Sequence, residues 1–310
     1  MTGGFVFPGQ GSQEVGMLRD FLEREAVVRN CFSEAEDAID VPLRTIALEG
    51  PEETLGRTEI TQPVLLTASV ALWRCWKEHG GATPSAMAGH SLGEYSALVA
   101  ADAIGFADAV RLVQTRGRLM QEAVPAGAGA MAAILGLDEP EVARCCAEVG
   151  GVVSAANINA PGQIVIAGTA AAVDAAIERC SAAGAKRAIK LAVSVPSHCA
   201  LMIGAAEKFA DVLAQTRVAA PRVPVIQNVD ASASDDPDRI RANLVTQLSK
   251  PVRWTQCVEA MVAGGATTLV ECGPGKVLGG LIKRIDRSAT TFAIGNVDAF
   301  DAALSEVGRG

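Results

Sequence analysis

The chain has 310 residues, 49% of them hydrophobic and 20% charged, which excludes a disordered chain and allows a sizeable core, with about two domains as the expected count. Aromatic residues make up only 4% and the formal charge is −8, which argues against base stacking or a protein-wide attraction to nucleic-acid phosphates. No apolar run reaches membrane-spanning length, and no basic stretch followed by an apolar one opens the chain. The 8 cysteines include no CxxC pair and no zinc-finger spacing with histidine, so core thiols in a reducing compartment are expected, without a metal site.

In chain order, residues 5–7 read as a buried strand ended by Pro8-Gly9, and 62–79 as a long helix stopped by Gly80-Gly81. A short strand is expected at 85–89, followed by helices from 92 onward and over 106–122. The pattern then changes. Strand 130–137, helix 139–149, strands 152–157 and 164–167 around Ala160-Pro161-Gly162, helix 170–183 and strand 187–191 give the order βαββαβ of a ferredoxin-like unit. Residues 125–129 (PAGAG) read as its entry linker. Strands near 223–226, 268–271 and 291–294, interleaved with helices, resume the first pattern. The expected fold is therefore α/β, with a large domain from 1–125 and 195–310 and a small ferredoxin-like domain, 126–194, inserted in it.

Gly89-His90-Ser91-Leu92-Gly93 lies between a predicted strand and a predicted helix. GxSxG in that setting is a nucleophile-elbow pattern, in which small flanking residues let the backbone turn sharply and expose the serine oxygen. The helix that follows aims N–H groups at an oxygen that becomes negative during acyl transfer. Ser91 is the candidate nucleophile, against a turn serine without chemistry. A serine needs a base, and the chain has 3 histidines. His79 ends a predicted helix and reads as a solvated last-turn residue. His90 reads as support for the elbow. His198, where the small domain returns to the large one, is the candidate base by elimination, against a satisfied structural histidine. No acidic residue between Ser91 and His198 stands out as a third member, so a backbone carbonyl is a candidate to orient the imidazole.

Gly9-Gln10-Gly11-Ser12-Gln13 follows the first strand, but Glu14 stands where a dinucleotide fingerprint needs its third glycine, and that reading is rejected. The turn can instead bring the Gln10 N–H beside that of Leu92 as an oxyanion pair, with an ordinary strand–helix turn as the alternative. Gly273-Pro274-Gly275-Lys276 lacks phosphate-loop spacing and reads as a tight turn. Arg111, Arg116 and Arg118 are three candidates for holding an anionic substrate group.

Eight segments, in order over nearly the whole chain, resemble the malonyl-CoA:acyl carrier protein transacylase family: 5–13 (FVFPGQGSQ), 61–69 (TQPVLLTAS), 89–98 (GHSLGEYSAL), 114–117 (QTRG), 157–168 (NINAPGQIVIAG), 193–199 (VSVPSHC), 247–254 (QLSKPVRW) and 273–278 (GPGKVL). The resemblance implies an α/β-hydrolase-like large domain with a ferredoxin-like insert. It implies Ser91 as the acylated serine, His198 as its base, the backbone of Gln10 and Leu92 as the oxyanion hole, and Gln247 as the residue that orients His198 through its main-chain carbonyl. It selects Arg116 for the free carboxylate of a malonyl group, and a guanidinium's planar fork of donors suits that task better than an ammonium.

The same resemblance implies malonyl-CoA and holo acyl carrier protein as partners, ping-pong transfer through a Ser91 ester, no cofactor and no metal. A monomer in the cytoplasm, serving fatty acid or polyketide synthesis, is expected. Alternatives are a methylmalonyl or other acyl transferase, a serine esterase or thioesterase on the same elbow, and a non-catalytic carrier-protein or CoA-binding module. Acyl carrier proteins are acidic, so two basic clusters are docking candidates: Lys186, Arg187 and Lys190, and Lys283, Arg284 and Arg287.

Overall fold

The computed structural model describes residues 3–193 and 195–308. β1 (Gly3–Phe7) leads into four helices that the sequence pattern left unassigned, α1 (Arg19–Arg24), α2 (Ala26–Ile39), α3 (Leu43–Glu49) and α4 (Glu52–Leu55). The long α5 (Thr58–Glu78) begins a turn earlier than expected and carries Pro63 inside it. A proline ordinarily marks a helix's first turn, so a start read near it falls late. Then come β2 (Ala86–Gly89), α6 (Gly93–Ala100) and α7 (Phe106–Glu122). The middle of the chain gives β3 (Gly129–Leu135), α8 (Glu139–Ala147), β4 (Val153–Ala160), β5 (Gln163–Thr169), α9 (Ala170–Ala182) and β6 (Arg187–Lys190). The remainder is α10 (Ile203–Ala214), β7 (Val225–Ile226), α11 (Pro237–Gln247), α12 (Trp254–Ala263), β8 (Thr268–Glu271), α13 (Val277–Ile285), β9 (Thr290–Ala293) and α14 (Val297–Val307).

The strands form two separate sheets. Five pair in the order β7-β2-β1-β8-β9, every neighbour parallel. Parallel strands need helices on both faces, and successive residues of β1 divide accordingly: Phe5 and Phe7 join one apolar cluster, Val6 the other. The second sheet has the order β4-β5-β3-β6 and is antiparallel throughout. Its strands alternate with period two. Ala132, Ile134, Ile164 and Ile166 pack against Val142 and Cys145 of α8 and Val173 and Ala176 of α9. Met131, Val165 and Ala167 turn to the opposite face, which looks toward Ser91.

A seam joins the two sheets' surroundings. β4 is an edge strand, and its free edge continues onto Val252: Ile158 donates to the Val252 carbonyl at 2.8 Å, and Val252 donates to Ala156 at 2.9 Å. An exposed strand edge is thus closed by the segment before α12. All eight cysteines are unpaired and buried. No helix among the described residues is long and apolar enough to cross a membrane. Residue 194, the boundary expected for the small domain, lies outside the described residues.

Candidate active site

The elbow is a consequence of close backbone approach. β2 ends at Gly89 and α6 starts at Gly93, and the two lie so near that a Cβ on Gly89 would sit 1.8 Å from the Gly93 carbonyl carbon. A Cβ on Gly93 would sit 2.0 Å from the Phe7 carbonyl oxygen of the neighbouring strand. Between them Ser91 is left-handed, with φ 53°. A non-glycine residue holds that conformation only where its surroundings impose it. Here Asn228 imposes it: its side-chain oxygen accepts from the Ser91 N–H at 2.8 Å, and its Nδ2 donates to the Gly89 carbonyl at 2.7 Å.

His198 comes to Ser91 from the chain's return out of the small sheet. It too is left-handed, with φ 62°, and is buried. Its Nε2 is 2.7 Å from Ser91 Oγ and its Nδ1 is 2.7 Å from the main-chain oxygen of Gln247. A carbonyl oxygen only accepts, so Nδ1 carries the ring proton and Nε2 is left to accept from the serine hydroxyl. Burial, with the Arg116 charge adding to it, pulls the imidazole down to about 3. It is therefore neutral, and free to take a proton, throughout the ordinary pH range.

Arg116, from the middle of α7, is 1% exposed, whereas Arg111 and Arg118 are on the surface. Its Nη1 donates to Gln62 Oε1 at 2.9 Å, and its Nη2 to Gln247 Oε1 at 2.9 Å and to Ser91 Oγ at 3.3 Å. Its guanidinium also lies 5.4 Å from the centre of the Tyr95 ring. All three hydrogen-bond acceptors are neutral, and the Arg116 Nε–H has no partner. No carboxylate bonds this buried cation directly: Glu94 acts on it only through charge, from behind Gln247, and the space beside the guanidinium can hold a further anion. That space is a cavity of about 140 Å³ lined by Gln10, Leu92, Ser91, His198, Arg116 and Gln62, and closed by Met131 and Val165 of the small sheet. The six residues expected at the site, Ser91, His198, Gln10, Leu92, Arg116 and Gln247, thus converge on one place. Leu92 is the N-cap of α6, so Ser91 stands at the positive end of that helix.

The other histidines have different partners. His90 Nε2 is 2.8 Å from Asn159 Oδ1 and its ring meets Trp254 edge-on, which ties the elbow to β4. His79 stands at the end of α5 as expected but is only partly solvated, with its side chain 31% exposed. It lies 3.3 Å from Glu25 Oε2 with its ring against Phe300, because the α1–α2 junction packs over the end of α5. Glu25, Cys75 and His79 form a group whose potential metal-binding atoms lie within 4.8 Å of one another. Glu25 is already paired with Arg24 at 3.0 Å, and the group is remote from the cavity.

The sequence alone does not mark Gln62, Asn228 and Glu94 as neighbours of Ser91, His198 and Arg116. Gln62 and Glu94 sit inside segments that carry the family resemblance, TQPVLLTAS and GHSLGEYSAL. Asn228 carries no local signal, since only tertiary packing brings it under the elbow.

Fold and site together describe an acyl-transferring enzyme. The Acyl transferase domain profile matches residues 4–297. The malonyl CoA-acyl carrier protein transacylase of Escherichia coli K12 is 56% identical over 302 residues, 97% of this chain and 98% of that protein. That of Bacillus subtilis 168 is 46% identical over 303 residues, 97% and 95% of the two chains. An acyl carrier protein S-malonyltransferase from Vibrio cholerae has a TM-score of 0.96 at 52% identity, covering 98% of this chain and 100% of that one. A malonyl-transacylase solved with a type II polyketide synthase acyl-carrier protein has a TM-score of 0.97 at 52% identity, covering 99% and 100%. The chain belongs to the acyl transferase family, and within it to the malonyl-CoA:acyl carrier protein transacylases.

Proposed function

We propose that this chain moves malonyl from coenzyme A to the phosphopantetheine thiol of acyl carrier protein through an ester on Ser91. Malonyl transfer itself follows from the family and from relatives up to 56% identical. In the first half-reaction His198 takes the Ser91 proton as Oγ attacks the thioester carbon. The N–H groups of Gln10 and Leu92 hold the tetrahedral oxyanion, and coenzyme A leaves as the thiol after His198 returns the proton. In the second half the pantetheine thiol attacks the ester, with His198 again as base, and Ser91 is regenerated. The Gln247 main-chain oxygen keeps the imidazole in the right tautomer.

One observation carries the malonyl assignment: the buried Arg116 meets only neutral acceptors and has an unpaired Nε–H. A substrate carboxylate is the anion this cavity lacks. No cofactor is required by these steps. The reading as a cytoplasmic protein goes with the eight buried, unpaired thiols, which suit a reducing compartment, and the reading as a monomer rests on the family resemblance alone. We describe the large unit, 1–125 and 195–310, as α/β-hydrolase-like and 126–194 as a ferredoxin-like insert. The strand–elbow–helix at Ser91 supports the first description, and the βαββαβ order on one antiparallel sheet supports the second.

Brief exposure of the protein to malonyl-CoA, followed by mass spectrometry of the peptides, tests the central step. A malonyl adduct on the Ser91 peptide is expected, absent from Ser91→Ala and discharged by holo acyl carrier protein. An adduct elsewhere, or turnover by Ser91→Ala, would refute it.

A further inference from the structure

Glu94 follows the elbow in the first turn of α6 and is 1% exposed; its N–H donates to the Ser91 carbonyl at 3.1 Å, but its carboxyl bonds neither Ser91 nor His198. Its Oε2 accepts from the Asn228 N–H at 2.8 Å and from Gln247 Nε2 at 2.9 Å. Its Oε1 accepts from Gln227 Nε2 at 3.1 Å. Two of these partners, Asn228 and Gln247, have a second grip on the site. Asn228 fixes the Ser91 N–H and the Gly89 carbonyl. Gln247 donates from the same Nε2 to the Ser91 carbonyl at 3.1 Å, accepts from Arg116 through Oε1, and holds His198 through its main-chain oxygen. One carboxyl therefore sits one hydrogen bond behind the nucleophile, the base and the carboxylate-binding arginine together.

We propose that the ionised Glu94 carboxylate is a positioning residue for malonyl transfer, holding Gln247 and Asn228 so that Ser91, His198 and Arg116 keep their mutual geometry. The chemistry of the contacts requires the ionised form. Three N–H donors converge on two oxygens, and a protonated carboxyl would turn its O–H against one of them. The displaced amide would be that of Gln247 or Gln227, and a turned Gln247 offers Arg116 an N–H instead of an oxygen. No Lys or Arg among the described residues forms an ion pair with Glu94. The titratable groups facing it are Arg116 from α7, Cys257 from α12 and the adjoining Tyr95. Burial pushes Glu94 up to about 7, against the three donors and the Arg116 charge, which pull it down. The switch between forms thus falls in the working pH range, whereas that of His198 lies far below it.

The inference rests on the Ser91 ester mechanism, and the test separates the two. Rates of Ser91 malonylation are measured from pH 5.5 to 9 for wild type, Glu94→Gln and Glu94→Asp, with adduct mass and melting temperature recorded for each. Wild type is expected to lose rate below a midpoint near pH 7. Glu94→Gln keeps the shape but sets an amide N–H against the donors, and is expected to be about 100-fold slower with no such midpoint. Glu94→Asp keeps the charge on a shorter arm, and is expected to recover part of the rate and retain an acid midpoint, which also serves if Glu94→Gln fails to fold. A Glu94→Gln rate within threefold of wild type, an unchanged midpoint in that variant, or an Asp variant as slow as Gln and without the midpoint would overturn the proposal while the Ser91 adduct stands. Absence of the adduct in wild type would instead remove the underlying mechanism.

Discussion

Arg116 brings a full charge into a cavity whose other polar groups are neutral, and holds it there through Gln62 and Gln247. That arrangement favours an acyl group with a free carboxylate over one without. Arg116→Ala should lower malonyl transfer by about 100-fold, as expected for a lost charge-assisted pair. Because the same guanidinium also reaches Ser91 Oγ, acetyl transfer should fall too, but less, so that the ratio of malonyl to acetyl rates drops at least about tenfold. Equal losses on both thioesters, measured under the same conditions, would mean that the arginine serves the frame and not the substrate. Ser91, His198 and Arg116 were legible in the sequence for different reasons. The serine shows in a local five-residue pattern, the histidine by elimination, and the arginine only through the family match. Glu94 stands three residues from Ser91, yet no sequence pattern marks it, because it is not an acid bonded to His198. Its contact is with Gln247, which in turn holds the histidine.

Among the elements, the crossing of β1, β2 and α6 decides how Ser91 is presented to His198. Gly93 fits against the Phe7 carbonyl with no room for a methyl group. Gly93→Ala must push α6 away from β1 and so move Ser91 out of reach of His198. A destabilisation of about 3 kcal/mol by chemical denaturation is expected, with loss of Ser91 acylation. A folded, fully active variant would show that the crossing is softer than drawn. The alternating strands and long helices could be read from their periods, and α7 falls on the expected residues, 106–122. The helices between β1 and α5 could not be read so easily. α1, α3 and α4 have 6, 7 and 4 residues and no side-chain cap bonds, so they form by packing on α2 and α5 and not by local preference. α2, with 14 residues and a buried face of Val28, Cys31, Phe32 and Ala35, did carry a readable pattern.

On the scale of the molecule, two basic clusters far apart in sequence meet. Lys186 and Arg187 line one groove with Arg284, whose Nη1 reaches Gln163 Oε1 at 3.1 Å. Lys190 is paired with Asp174 at 2.8 Å, and Lys283 donates to the Ala289 carbonyl, so both are turned to local partners. The groove is a concentrated positive site on a chain of net charge −8, suited to an acidic carrier protein. Reversing Arg187 and Arg284 to Glu should raise KM for acyl carrier protein about tenfold, an effect that fades with added salt, while KM for malonyl-CoA stays unchanged. Steady-state kinetics with each substrate varied separately checks this, and an unaltered carrier-protein KM would place docking elsewhere.

The seam at Val252 bears on how such an enzyme can be rebuilt. The small sheet's edge ends on the backbone before α12, and Asn159 on that edge strand steadies His90 beside Ser91. A chimera that took residues 126–194 from a relative with other acyl preferences would therefore import a new roof for the cavity together with one wall of the elbow. Main-chain pairing at Val252 is indifferent to side chains and would accept the graft. The Asn159–His90 pair is not indifferent, and must travel as a unit.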